Sequence, residues 1–168
     1  MNRHVTLVSI LLGLCLLISV GLNAQSFVEI GNGTTNTNMP VYSSWNYGWS
    51  KLIYNQANLG SAKTITQIAL HQGNNSTFTF SNQKVYFKHT SLPNLNTNTS
   101  YENTEAGGWV QVYNGSLVSQ NGWIILDIND FAYNGTDNLL IMWENRHGTS
   151  TYSGPQFLST NALENTTL

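Results

Sequence analysis

The chain has 168 residues, only 8% of them charged, with a formal net charge of −2 and a single cysteine. A chain of this length makes one domain that can bury a core without metals or disulfides. Its six lysines and arginines are dispersed and outnumbered by carboxylates, which excludes nucleic acid and anionic membrane surfaces as partners, since both need a clustered positive footprint.

Residues 1–24 are predicted to be a secretory signal peptide. Arg3 and His4 give a short positive start, Val5 to Leu22 is an almost unbroken apolar run, and Ala24 supplies a small residue just before Gln25. The reading implies a secreted or outer cell-surface protein, with no membrane contact once the signal is removed. Cys15 falls inside this leader, so the mature chain has no thiol. Disulfides, cysteine-zinc sites and cysteine nucleophiles are excluded together.

Beyond Gln25, short alternating or β-branched segments recur between Gly, Asn and Ser clusters, and no window keeps a helical period. The predicted strands are Phe27 to Ile30, Trp49 to Tyr54, Thr64 to His71, Thr77 to Phe80, Lys84 to His89, Trp109 to Tyr113, Trp123 to Ile128, Leu139 to Glu144 and Thr151 to Phe157. In Lys84 to His89, alternation puts Val85 and Phe87 on a core face, with Lys84, Tyr86 and Lys88 on a wet one. The continuous apolar runs Ile124-Ile125-Leu126 and Leu139 to Trp143 suggest strands covered on both faces or lying next to a long loop.

Asn114-Gly115, Asn121-Gly122 and Asn134-Gly135 are expected to mark strand reversals, because both residue types tolerate positive φ. Residues 90–108 lack a strand pattern and are expected to form a long loop over one end. The fold class is all-β: an antiparallel two-sheet β-sandwich, jelly-roll or immunoglobulin-like, over residues 25–158. Residues 159–168 read as an irregular tail or the truncated end of the domain, which would leave an exposed sheet edge.

Several of these stretches, in this order, resemble a β-sandwich module that recurs in secreted and cell-surface proteins of Bacteroidetes. They are Ile30-Gly31-Asn32-Gly33-Thr34, Trp45-Asn46-Tyr47-Gly48-Trp49-Ser50 leading to Ile53-Tyr54, and Ile65 to Leu70. Val85 to Thr90, Trp109 to Gly115 and Phe131 to Leu140 continue the pattern. The resemblance spans about residues 29–147 and contains no catalytic motif. It implies an adhesion-like or accessory part of a larger protein exported by the type IX route, whose C-terminal sorting domain has no counterpart in this sequence.

Three groups are candidate sites. Trp45, Tyr47 and Trp49, with Tyr42, lie in a Ser- and Asn-rich stretch. Flat aromatic faces beside amides suit sugar rings, although alternate aromatics also serve as core plugs. Arg146, His147 and Tyr152 follow a buried-looking strand and would line a loop-end pocket, unless Arg146 simply pairs with Glu144. Asp127, Asp130 and Asp137, with Glu29, are candidates for an oxygen-only calcium site, or else ordinary strand-end residues bonding nearby backbone. Calcium is the one cofactor these residues suggest.

Catalysis has weak candidates. Glu102 and Glu105 share what reads as a loop without fixed geometry, Asp127 and Asp130 are the other carboxylate pair, and His71, His89 and His147 are scattered. The sequence is therefore expected to encode a secreted, non-catalytic module that binds a glycan or cell-surface ligand. The alternative is a structural spacer of a larger hydrolase or adhesin with no ligand of its own.

Overall fold

A computed structural model describes residues 26–96 and 98–160; the predicted signal peptide (1–24) and residues 161–168 of the predicted tail lie outside them. The elements are β1 (Thr35–Thr37), β2 (Gly48–Tyr54), a single helical turn α1 (Gln56–Leu59), β3 (Lys63–Gln72), β4 (Thr79–Thr90), β5 (Val110–Val118), β6 (Gly122–Tyr133), β7 (Asn138–Asn145) and β8 (Phe157–Ser159). They form two antiparallel four-stranded sheets packed as a sandwich. Sheet I has the order β1-β8-β3-β6 and sheet II the order β2-β7-β4-β5.

Alternation along β7 explains how sheet II is built. Leu139, Ile141 and Trp143 point into the sandwich, where they meet Phe80, Val85, Phe87, Ile124, Leu126 and Phe131. Trp143 donates its indole N–H to Gln83 Oε1 at 2.9 Å, so this large ring is buried without an orphaned donor. Leu140, Met142 and Glu144 point the other way and are also buried. The expectation of a strand covered on both faces holds for β7.

The cover is the segment between β4 and β5, which lies across the outer face of sheet II instead of closing an end. Leu95 inserts from it against Ile53 and Leu140, flanked by Leu92 and Trp109. The face of β4 expected to be wet is thus largely enclosed: Tyr86 is buried and Lys88 half-buried. The matching expectation fails for Ile125, whose side chain stands exposed on sheet I.

Asn121-Gly122 and Asn134-Gly135 lead into the next strand as expected, with positive φ at both glycines. Asn114-Gly115 does not reverse the chain; it lies inside β5 opposite Lys84 and Gln83. The buried Leu117 beyond it draws the strand onward. Gly115 instead admits the Tyr113 ring, which a Cβ would approach to 2.8 Å at the hydroxyl, and that hydroxyl donates to Ser116 O at 2.8 Å.

The segments predicted as Thr77 to Phe80 and Lys84 to His89 are one strand, interrupted by an irregularity at Ser81 and Asn82, where Asn82 adopts φ 54°. Phe27 to Ile30 is not a strand; it lies exposed, with the Phe27 ring edge-on to Trp123 at 6.1 Å. The last strand begins at Phe157 and includes Ser159, so it starts where the predicted strand ends. It sits between β1 and β3 and is therefore not an exposed edge.

Candidate functional site

Two loops meet at one end of the sandwich. The 43–47 segment precedes β2, and the 146–152 segment follows β7, the strand paired with it. Backbone bonds tie them together: Gly148 N–H donates to Asn46 O and Thr151 N–H to Ser43 O, each at 2.9 Å. Ser50 Oγ also donates to Pro40 O at 2.8 Å, anchoring the approach to β2. Between the loops runs an open groove of about 460 Å³, lined by Ser44, Trp45, Asn46, Tyr47, Ser150 and Tyr152.

Three aromatic side chains in this lining are strongly exposed: Trp45 at 63%, Tyr47 at 67% and Tyr152 at 93%. The alternative that these rings plug the core does not describe them. Aromatic rings offer broad contact area with few torsions to freeze, and hydroxyls and amides beside them supply hydrogen bonds.

The remaining candidates lie elsewhere. Trp49 leaves the groove and packs edge-on against Tyr101 at 6.0 Å. Arg146 Nε donates to Glu144 Oε2 at 2.7 Å, and this bond raises the guanidinium above its ordinary value. His147 sits edge-on to Phe78 and Phe80, its Nδ1 accepting the Ser81 N–H at 3.1 Å. Neither Arg146 nor His147 lines the groove.

The three aspartates are not gathered into one site. Asp127 on β6 accepts from Gln67 Nε2 at 2.5 Å, and Asp137 in the following turn accepts from Asn134 Nδ2 at 2.7 Å. Asp130 is exposed on β6, where that strand uses two more residues than β3 between the Ile65 and Gln67 pairings. Among the described residues no group of three His, Asp or Glu side chains comes together in a way that would hold a metal ion.

A second polar cluster, of which the sequence-based candidates included only Glu102, paired there with Glu105, lies beneath the 91–109 segment. Lys51 on β2 is fully buried. Its Nζ donates to Ser100 O at 2.7 Å and to Asn98 Oδ1, with Glu102 Oε1 at 3.5 Å. Glu102 also accepts from Asn98 Nδ2 at 2.7 Å, Lys88 Nζ at 3.0 Å and Trp109 Nε1 at 3.2 Å. Burial alone would raise the Glu102 pKa; the Asn98 amide, Lys88 and Lys51 outweigh it and hold the carboxyl at about 2.

Burial pushes the Lys51 ammonium below its ordinary value, against the pull of Glu102. Beside it, Tyr101 donates to Glu144 Oε1 at 2.7 Å, and desolvation together with that bond raises the phenol. Besides Glu102, the sequence hints at this cluster through a lysine on a strand whose partner, β7, is apolar from Leu139 to Trp143. No family model, curated protein or solved structure matches this chain. Among the described residues no helix is long and apolar enough to cross a membrane.

Proposed function

We propose that this protein is a secreted, non-catalytic β-sandwich module that binds a glycan in the groove between the 43–47 and 146–152 segments. The observation that carries the reading is the exposure of Trp45, Tyr47 and Tyr152 along one groove, with Ser44, Asn46 and Ser150 interleaved. Sugar rings present apolar C–H faces and equatorial hydroxyls, which such a surface matches with stacking and hydrogen bonds. The leader-like N-terminus and the resemblance to Bacteroidetes surface modules favour an adhesion or accessory role at the cell exterior. The cross-loop bonds from Gly148 and Thr151 support it further, since a groove held in shape loses little entropy on binding.

An open groove encloses a ligand only in part, so the expected dissociation constant is roughly 10 μM to 1 mM, or about −7 to −4 kcal/mol. The test is tryptophan fluorescence of the folded chain titrated with a panel of soluble polysaccharides, in parallel with Trp45→Ala and Tyr152→Ala. A saturable shift that both substitutions abolish is the expected result. A cooperatively folded protein whose spectrum no polysaccharide moves would remove the basis for the reading.

A further inference from the structure

The cluster beneath the 91–109 segment is separate from the groove, and it places an amine, a primary amide and a carboxylate in mutual contact. Lys51 Nζ touches Asn98 Oδ1, Asn98 Nδ2 donates to Glu102 Oε1 at 2.7 Å, and the same Oε1 stands 3.5 Å from Lys51 Nζ. An amide C=O bond is about 1.2 Å long, so a nitrogen in contact with Oδ1 lies within roughly 4 Å of Cγ. From its hydrogen bond to Oδ1, Nζ has to give up that bond and move over the amide plane to reach the separation of about 3 to 3.5 Å from Cγ at which a positioned nucleophile reacts.

We propose that Lys51 and Asn98 join through an intramolecular amide bond, with Glu102 carrying the protons. Nζ, once deprotonated, attacks Cγ of Asn98 and forms the Nζ–Cγ bond. Glu102 Oε1, which faces both nitrogens, takes protons from Nζ and hands them to Nδ2. The Cγ–Nδ2 bond then breaks. A primary amide and an ammonium ion become a secondary amide and a released ammonium ion, so atoms and charge balance without oxidant or cofactor.

Three features of the surroundings favour this course. Lys51 is fully enclosed, and an ammonium so placed carries a desolvation cost that the neutral amide product removes. Lys88 and the Trp109 N–H occupy the other carboxylate oxygen, leaving Oε1 directed at the reacting pair. The Trp49 ring, 5.7 Å from Nζ, and the Trp109 ring, 5.2 Å from Lys88 Nζ, cover part of the cluster, while the Glu102 and Lys88 side chains keep a quarter of their surface exposed. Glu102 is a weak base in this setting, yet the reaction has to occur once per molecule, so a sparsely populated neutral amine suffices.

The experiment is tryptic digestion and mass spectrometry of the purified full chain. The expected product lacks cleavage after Lys51 and contains the Lys51 peptide branched onto the 89–146 peptide, lighter by one ammonia. A glutamine at a chain start also sheds ammonia on cyclising, so the branch decides, not the intact mass. Asn98→Ala should lose the branch entirely. Glu102→Gln, checked for a cooperative melt, should form it at least about a hundredfold more slowly, as loss of a positioned proton carrier predicts. Linear Lys51 and Asn98 peptides from folded parent protein would overturn the proposal, and a Glu102→Gln variant that branches as fast as the parent would overturn the role of the carboxylate.

Discussion

If the 91–109 segment belongs to the folded core of sheet II, truncating the residue that anchors it must cost as much as a core truncation. Leu95 is 0% exposed and packs on Ile53 and Leu140, with Leu92 and Trp109 at its sides. Removing a fully buried leucine to alanine forfeits about 2 to 3 kcal/mol of transfer free energy. The residual cavity adds to this, within the range of about 2 to 5 kcal/mol seen for such changes. The cluster is small and sits under a single segment that can partly collapse onto the hole, so we expect Leu95→Ala to cost about 2 to 3 kcal/mol. Urea unfolding followed by tryptophan fluorescence measures it, with Asn98→Ala in every protein so that the proposed amide enters none. Ile125→Ala, at an exposed position of sheet I, serves as control and should stay within about 0.5 kcal/mol. A Leu95→Ala variant as stable as that control would refute the claim that this segment is packed structure.

Three other outcomes follow from the same geometry. Because Glu102 is held at about 2 in the fold against an ordinary value of 4.5, its stabilisation is complete above about pH 4.5 and drains away as the pH falls towards 2. Acid titration of unfolding on the Asn98→Ala background should therefore show Glu102→Gln less stable than its parent at pH 7 and converging with it as the pH falls, the convergence coming above pH 2 because the Asn98 bond is gone and only Lys88 and Lys51 still lower the carboxyl. Trp45→Ala and Tyr152→Ala, which truncate exposed rings, should leave the urea midpoint within the equivalent of about 0.5 kcal/mol while abolishing any glycan-induced fluorescence shift. Gly135→Ala forces a side chain into φ +74° and against the Ala62 backbone, and thermal unfolding should register a loss of at least about 2 kcal/mol.

The sandwich is legible in the sequence because the period of two survives along much of β3, β4 and β6 and glycine punctuates the turns, so local pattern and global fold agree. For the groove, Trp45 and Tyr47 stand out as aromatics flanked by Ser and Asn, and Tyr152 as a loop-end residue; their exposure and their meeting in one groove needed coordinates. What pattern could not supply was pairing between distant segments. Nothing local to Lys51 says that Asn98 and Glu102 will cover it, and Glu102 reads as a solvated loop carboxylate until Leu95 is seen to dock. Asn114-Gly115 misled for a related reason, since a turn dipeptide is overridden when a neighbouring ladder and a buried Leu117 favour extension.

Strand β2 links the two regions that carry the functional argument. Tyr47 lines the groove, Trp49 packs on Tyr101 of the docked segment, and Lys51 lies beneath Asn98 and Glu102. Trp49 and Lys51 face the same side of sheet II, opposite Glu144 and Met142 of β7, so the segment that covers Lys51 also braces the strand on which the groove loop is mounted. On the far side, Asn46 and Ser43 receive the N–H groups of Gly148 and Thr151. The groove loop is therefore held on one border by the docked segment and on the other by the 146–152 segment that forms the second wall of the groove. A covalent bond between Lys51 and Asn98 would make the inner brace permanent in a chain whose single cysteine, Cys15, has no second thiol with which to form an intramolecular disulfide.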